Sequence, residues 1–316
     1  MVGGNDARVG EFPEILTARS LALASVAARG GAAHDAALAL REHLALATRL
    51  GLGGVTLDAT RAGLRARELD RSARREVAAL LRRNALTLAA VDAFVPPAHF
   101  ADPATQERAT SAVLAAIELA AELGGLGRSV DHAANVRRTE GAAGAPAIHI
   151  ATGHGEGARG VVCLELPAPD TGAGASGQSA RAALGEAIAN IAAAAESAGV
   201  ALADFGADAA PNPSSSAAAL PGAVLTREAM SVRGTGFDPL RLRLRGADPL
   251  RSLSTPSRRW NAARFGPMPA GMHDDFALLA RALRAGGMTG PVIIDVAGVA
   301  DSAGAAARVR DEVLGG

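Results

Sequence analysis

Residues 50–97 constrain the architecture more tightly than any other stretch. They open with Gly51-Leu-Gly-Gly-Val-Thr-Leu-Asp58, a short apolar run behind glycines. From Asp70 to Arg83 the spacing turns helical, with Val77, Leu80 and Leu81 on one side and Arg71, Arg74, Arg75 and Arg82 on the other. Leu86 to Phe94 is again nearly continuous in apolar residues and is stopped by Pro96-Pro97. The order is strand, helix, strand. Strands without polar alternation are covered on both faces, which is the condition of a parallel sheet. Parallel neighbours need a crossover, and the amphipathic helix supplies it.

The rest of the chain repeats this unit. Residues 1–18 are polar and read as a tail, and Leu21 to Val26 is a first strand. Asp35 to Leu50 is a helix with Ala37, Leu40, Leu44 and Ala47 on one face. Asp102-Pro103 opens a long helix to Leu123, with proline in the first turn. Residues 124–160, rich in Gly and Ala, read as an insertion with a short strand at Ala147–Ala151. Val161 to Leu166 is strand four, Arg181 to Ala198 a helix and Gly199 to Asp204 strand five. Gly222 to Thr226 is a weaker strand six, and Asp238-Pro239 starts a helix. Pro249 to Ser254 reads as strand seven and Arg258 to Met272 as a long loop. Asp274 to Ala285 is helical, and Gly290 to Asp295 is strand eight. Eight strands alternating with helices predict a single (β/α)8 barrel over residues 19–316. The alternative is a doubly wound open sheet, whose phosphate-binding turn should follow the first strand. Ala27-Ala-Arg-Gly-Gly does not supply one.

Composition narrows the chemistry. All 32 basic residues are arginine, and they balance 32 acidic ones to a net charge of zero. Without lysine there is no Schiff base, no PLP linkage and no P-loop lysine. Without tyrosine no phenol acts as an acid. A pI near 7.1 gives no positive field for nucleic acid. No run of about 18 apolar residues marks a membrane span. Residues Ser20–Ala28 have the length of a secretory apolar segment, but Asp6, Glu11 and Glu14 precede them, whereas a signal peptide has a basic start. The expectation is a cytoplasmic protein, consistent with the single cysteine, Cys163, which reads as core. Gly155-Glu-Gly157-Ala-Arg-Gly160 spells a dinucleotide fingerprint but precedes a strand instead of a helix, so no nucleotide is expected there.

In such a barrel the active site lies at the C-terminal ends of the strands. The polar residues expected there are Asp58, His99, Glu165, Asp204, Glu228, Ser252, Ser254 and Asp295, with Arg258, Arg259, Arg264 and His273 in the loop after strand seven. Converging carboxylates hold a divalent cation or act as general acid and base. Arginines hold a phosphate or carboxylate through paired hydrogen bonds. Each residue also has a plainer reading: the aspartates cap loops, Glu165 faces either way, Glu228 is solvated, His99 anchors its loop and the arginines are solvated.

Three stretches carry a resemblance to a known family. Leu50–Asp58 resembles the second strand of the xylose isomerase-like barrels (the sugar phosphate isomerase/epimerase and endonuclease-IV-like group). Leu80–Phe94 resembles their passage into strand three. Pro267-Met-Pro-Ala-Gly-Met-His-Asp-Asp-Phe276 through Gly290–Asp295 resembles their last helix and strand. The likeness spans most of residues 20–296. It implies a sugar isomerase or epimerase, acting on a small carbohydrate through carboxylate acid/base chemistry with a divalent metal (Mn, Mg, Co or Zn). The metal set it implies is a glutamate after strand five, an aspartate in an Asp-Pro context after strand six, a histidine on strand seven and a glutamate after strand eight. Here those positions fall on Asp204 or Phe205, near Glu228, on Ser254 and on Asp295. Asp204, Glu228 and Asp295 are thus the expected metal ligands, and Asp204, Asp295 and Glu165 the expected catalytic groups. Asp58, His99, Arg258 and Arg264 are the expected substrate contacts. The second reading is a barrel without catalysis that binds a sugar-like ligand or a protein partner. A nuclease, the third, needs a histidine-rich zinc site and a basic face that this chain lacks.

Overall fold

In the computed structural model, which describes residues 16–24, 33–139, 160–167, 175–206, 233–254 and 259–315, eight parallel strands close into a barrel in sequence order. They are β1 (Leu21–Leu23), β2 (Gly54–Asp58), β3 (Thr87–Ala93), β4 (Gly160–Leu164), β5 (Val200–Asp204), β6 (Arg233–Phe237), β7 (Trp260–Phe265) and β8 (Val292–Ile294). The ring is sealed by β1 on β8, with Leu21 opposite Val292 and Leu23 opposite Ile294. The open-sheet alternative is excluded by that pairing.

Several helices form because an aspartate caps the start and one face is apolar. Asp70 caps Arg71–Arg83 by accepting from the Ala73 amide at 2.8 Å, and the buried Val77, Ala78 and Leu81 turn inward. Asp275 does the same for Phe276–Ala285, and Asp301 for Ser302–Leu314. The main core lies between strands and helices, where Leu44, Val113, Ile117, Leu119, Ile191, Leu279 and Val309 are buried. Each such side chain contributes roughly 1.5–3 kcal/mol by leaving water. The helix Pro103–Thr139 has over Pro103–Leu126 the length and composition of a membrane span. Its buried Val113, Ala116, Ile117, Leu119 and Ala120 belong to the barrel core.

A second cluster lies inside the ring. It consists of Ala22, Ala24, Ala89, Ala90, Val161, Cys163, Ala203, Phe205, Ala262 and Ile293. These side chains are mostly small, and the largest, Phe205, sits just past the C-terminal end of β5. Burial pushes the Cys163 thiol up to about 12, so it stays neutral and serves as packing.

Two expected strands are displaced. Pro249 to Leu253 is a helix, capped by Asp248 with Pro249 in its first turn, and Ser254 is its C-cap. The strand expected there lies within the expected loop, at Trp260–Phe265. Likewise β6 starts at Arg233, and the expected strand Gly222–Thr226 falls outside the described residues, as does Ala147–Ala151. The long helix continues through residues 124–139, the first part of the expected insertion.

Candidate active site

The C-terminal mouth holds a cavity of about 330 Å³ lined by Asp58, Thr60, Asp92, Phe94, Phe205, Asp238, Arg241, Arg264, Asp295 and Ala297. Strand ends and the turns behind them supply the lining, so residues far apart in sequence meet at one rim.

Arg264 organises this site. It is the last inward-facing residue of β7, with its side chain 7% exposed. Nη2 donates to Asp92 Oδ1, and Nη1 donates to Asp295 Oδ2 at 2.7 Å. The guanidinium carbon lies 4.8 Å from the Phe94 ring centre and 5.5 Å from that of Phe205. The two rings meet edge to face at 5.8 Å, so the cation sits against an aromatic corner. Burial alone would lower the guanidinium's pKa, but the charges of Asp92 and Asp295 more than offset this and hold it above its ordinary value. Arg264 is a cation at every pH the fold survives.

Asp92, on β3, also accepts from Thr56 Oγ1 at 2.9 Å. Burial pushes its carboxyl up to about 6 against the pull of Arg264. Asp58 stands opposite Asp92 across the β2–β3 ladder and accepts from the Thr60 amide and hydroxyl at 2.9 and 2.6 Å. Asp295 accepts from the Ala297 amide at 3.0 Å. Asp238 caps the helix Pro239–Leu244 through the Arg241 amide, and burial raises its carboxyl pKa. Arg241 Nη1 donates to Glu165 Oε2 at 2.7 Å and its guanidinium lies 5.8 Å from Phe94.

Of the expected site residues, Asp58, Arg264 and Asp295 line the cavity together, and Glu165 reaches it through Arg241. Asp204 is buried behind it, where Oδ1 accepts from the Leu166 and Gly206 amides at 3.1 and 2.9 Å. His99 is exposed on the short helix Pro97–Ala101, away from the lining. Glu228 and Arg258 lie outside the described residues. Asp92, Phe94, Asp238 and Arg241 were not expected. Asp238-Pro239 had a signal, since it is an aspartate in an Asp-Pro context behind a strand. That strand was hidden, as its inward positions are Gly234 and Gly236.

No family model and no curated protein matches the sequence. Solved structures do. An L-ribulose 3-epimerase superposes with a TM-score of 0.58 at 14% identity, over 92% of this chain and 91% of the other. A xylose isomerase-like TIM barrel protein from Mycobacterium smegmatis, in complex with magnesium, gives 0.55 at 15%, over 93% and 95%. A 3-keto-D-glucoside 4-epimerase from E. coli gives 0.56 at 12%, over 93% and 97%. The chain shares the (β/α)8 barrel fold of these proteins.

The metal set implied by the resemblance can now be placed on the observed strands of this barrel. The aspartate after strand six is Asp238, with Pro239 behind it. The inward residue at the mouth end of strand seven is Arg264, not Ser254, which lies on a helix end. A guanidinium has no lone pair to give a metal, and here it occupies oxygens of Asp92 and Asp295. Among the described residues no three His, Cys, Asp or Glu side chains are grouped so as to hold a metal ion. The described residues of this cavity do not fit a divalent cation.

Proposed function

We propose that this barrel is a sugar isomerase or epimerase that moves a proton at a carbon next to a carbonyl of a small carbohydrate. The observation that carries this reading is the alternation at the rim: Asp238 behind β6, Arg264 on β7 and Asp295 behind β8, around one cavity of sugar size. Proton transfer next to a carbonyl needs a base, an acid and a positive group where oxygen becomes negative. Asp295 is the partly exposed carboxylate and suits the base. Asp238, whose pKa burial raises, holds a proton more readily and suits the acid. Arg264 faces the carbonyl oxygen and stabilises the enediolate through its permanent charge. Phe94 and Phe205 supply an apolar wall for the C–H face of the ring or chain. Asp204 and Glu165 act as positioning residues, Asp204 through the turn amides beside Phe205 and Glu165 through Arg241. The divalent cation has no part in this reading, for the reason of fit given above.

The second reading, a barrel that binds a sugar-like ligand without turnover, is favoured by one observation. Both oxygens of Asp92 and of Asp295 already accept hydrogen bonds. The two readings separate in D₂O. Incubation with a panel of ketoses and aldoses, followed by ¹H NMR, should show loss of the signal from the carbon next to the carbonyl. Asp295→Asn should slow that exchange about 10³-fold, within the range attributed to positioned acid–base groups. Binding of a sugar with no exchange in wild-type protein would select the binder.

A further inference from the structure

We infer that Arg264 is a built-in cation that takes the place of the divalent ion, so that this site holds and polarises the oxygens of its ligand without a metal. The inference deepens the proposed reading, yet it can be tested without any sugar.

Four observations meet in it. Position comes first: Arg264 stands at the inward end of β7, between Asp238 behind β6 and Asp295 behind β8. These are the neighbouring strands to which the resemblance assigns metal ligands. Second, the guanidinium is held as an ion is held, by carboxylate oxygens from two other strands, Asp92 of β3 and Asp295 behind β8. Third, those oxygens are already engaged, so a metal would have to displace or share their hydrogen bonds. Asp92 gives its second oxygen to Thr56 and Asp295 its second to the Ala297 amide. Fourth, the cation is fixed. With Phe94 and Phe205 against it and 7% of its side chain exposed, it cannot swing aside without leaving the buried Asp92 carboxylate without its counter-charge. A divalent ion arriving there would meet a full positive charge already in place.

A guanidinium differs from a metal in what it offers. It donates directional N–H bonds and does not ionise a bound water, so it suits oxygens that gain charge gradually, as a carbonyl does on the way to an enediolate.

The test uses Mn²⁺ alone as the probe. Wild-type protein dialysed against Mn²⁺ should retain well under one equivalent, and 1 mM Mn²⁺ should leave its Tm unchanged. In Arg264→Ala the freed carboxylates of Asp92 and Asp295, with Asp238 on the same cavity wall, should take up the ion, raising Tm by about 5 °C. Arg264→Lys keeps a charge in place and should stay indifferent to Mn²⁺. This gives a decisive comparison with wild type even if the alanine variant does not fold. Stoichiometric Mn²⁺ in wild-type protein, lost on Asp238→Asn or Asp295→Asn, would overturn the inference. So would a Mn²⁺ response in the lysine variant, or a folded alanine variant that ignores the ion. None of these readouts involves carbohydrate, so failure here leaves the proton-transfer reading standing, and failure of that reading leaves this one.

Discussion

Asp92 and His43 show how single buried groups shape behaviour at the residue scale. Asp92 has its pKa pushed up by burial to about 6, and His43, on the buried side of the helix Ala33–Arg49, has its own lowered by burial to about 4. The signs oppose. Between about pH 4 and 6 folded Asp92 still holds a proton that the unfolded chain has lost, so its contribution falls as pH rises. Over nearly the same window the unfolded chain protonates His43 and the folded one does not, so that contribution rises with pH. Wild-type stability should therefore be nearly flat from pH 4 to 6.5. Asp92→Asn should uncover a curve that climbs with pH, by up to about 1.4 kcal/mol per unit, and His43→Leu one that falls. Urea melts at half-unit pH steps would check this, and parallel slopes in the two variants would refute it. Nothing in the sequence marks Asp92 as charged and buried: it reads as one polar residue in Leu86–Phe94, and its partner lies 172 positions away.

At the scale of elements, the strands read correctly are those whose inward positions carry side chains. Residues 54–58 turn Val55 and Leu57 into the core, residues 87–93 and 292–294 are largely apolar, and the covered-strand pattern finds all three. β6 reads as Arg-Gly-Thr-Gly-Phe because its inward positions are filled by others. A Cβ on Gly234 would lie 2.4 Å from Asn261, and one on Gly236 would lie 2.4 Å from the Phe205 ring. Glycine here marks close approach between strands, although in isolation it marks a turn. β7 was obscured by its arginines, since Arg258, Arg259 and Arg264 together resemble a solvated loop. Whether Arg264 is buried depends on Asp92 and Asp295, which no local window contains. The helix Pro249–Leu253 did have its signal, Asp248-Pro249, in the same form as Asp238-Pro239. Gly236→Val should drive Phe205 out of its corner and cost about 1–3 kcal/mol by overpacking. It should also shift ligand binding, whereas Gly125→Ala, at an exposed helix position with open space around it, should leave both stability and binding nearly untouched. Thermal melts and titration calorimetry would separate the two.

For the molecule as a whole, the sequence disclosed the barrel and the end of it that bears the site, but not the balance of charge there. Among the described residues, four carboxylates (Asp58, Asp92, Asp238 and Asp295) and two guanidiniums (Arg241 and Arg264) line the cavity. Both guanidiniums are engaged by acids, Arg241 by Glu165 and Asp238, Arg264 by Asp92 and Asp295. A phosphate would bring its negative charge to an already acidic rim. A neutral sugar should therefore bind at least about 10-fold tighter than its phosphate ester, a difference of about 1.4 kcal/mol. Calorimetry with matched pairs of free and phosphorylated sugars would check this, and tighter binding of the esters would reverse it.

The seam between β1 and β8 joins two three-residue strands from opposite ends of the chain. Until the last of these has been synthesised, the growing polypeptide carries exposed backbone donors and acceptors along β1 and along β7, the pattern by which one chain recruits another. A chain that lacks Val292–Ile294 thus leaves β1 and β7 open as edges poised to associate with a second copy.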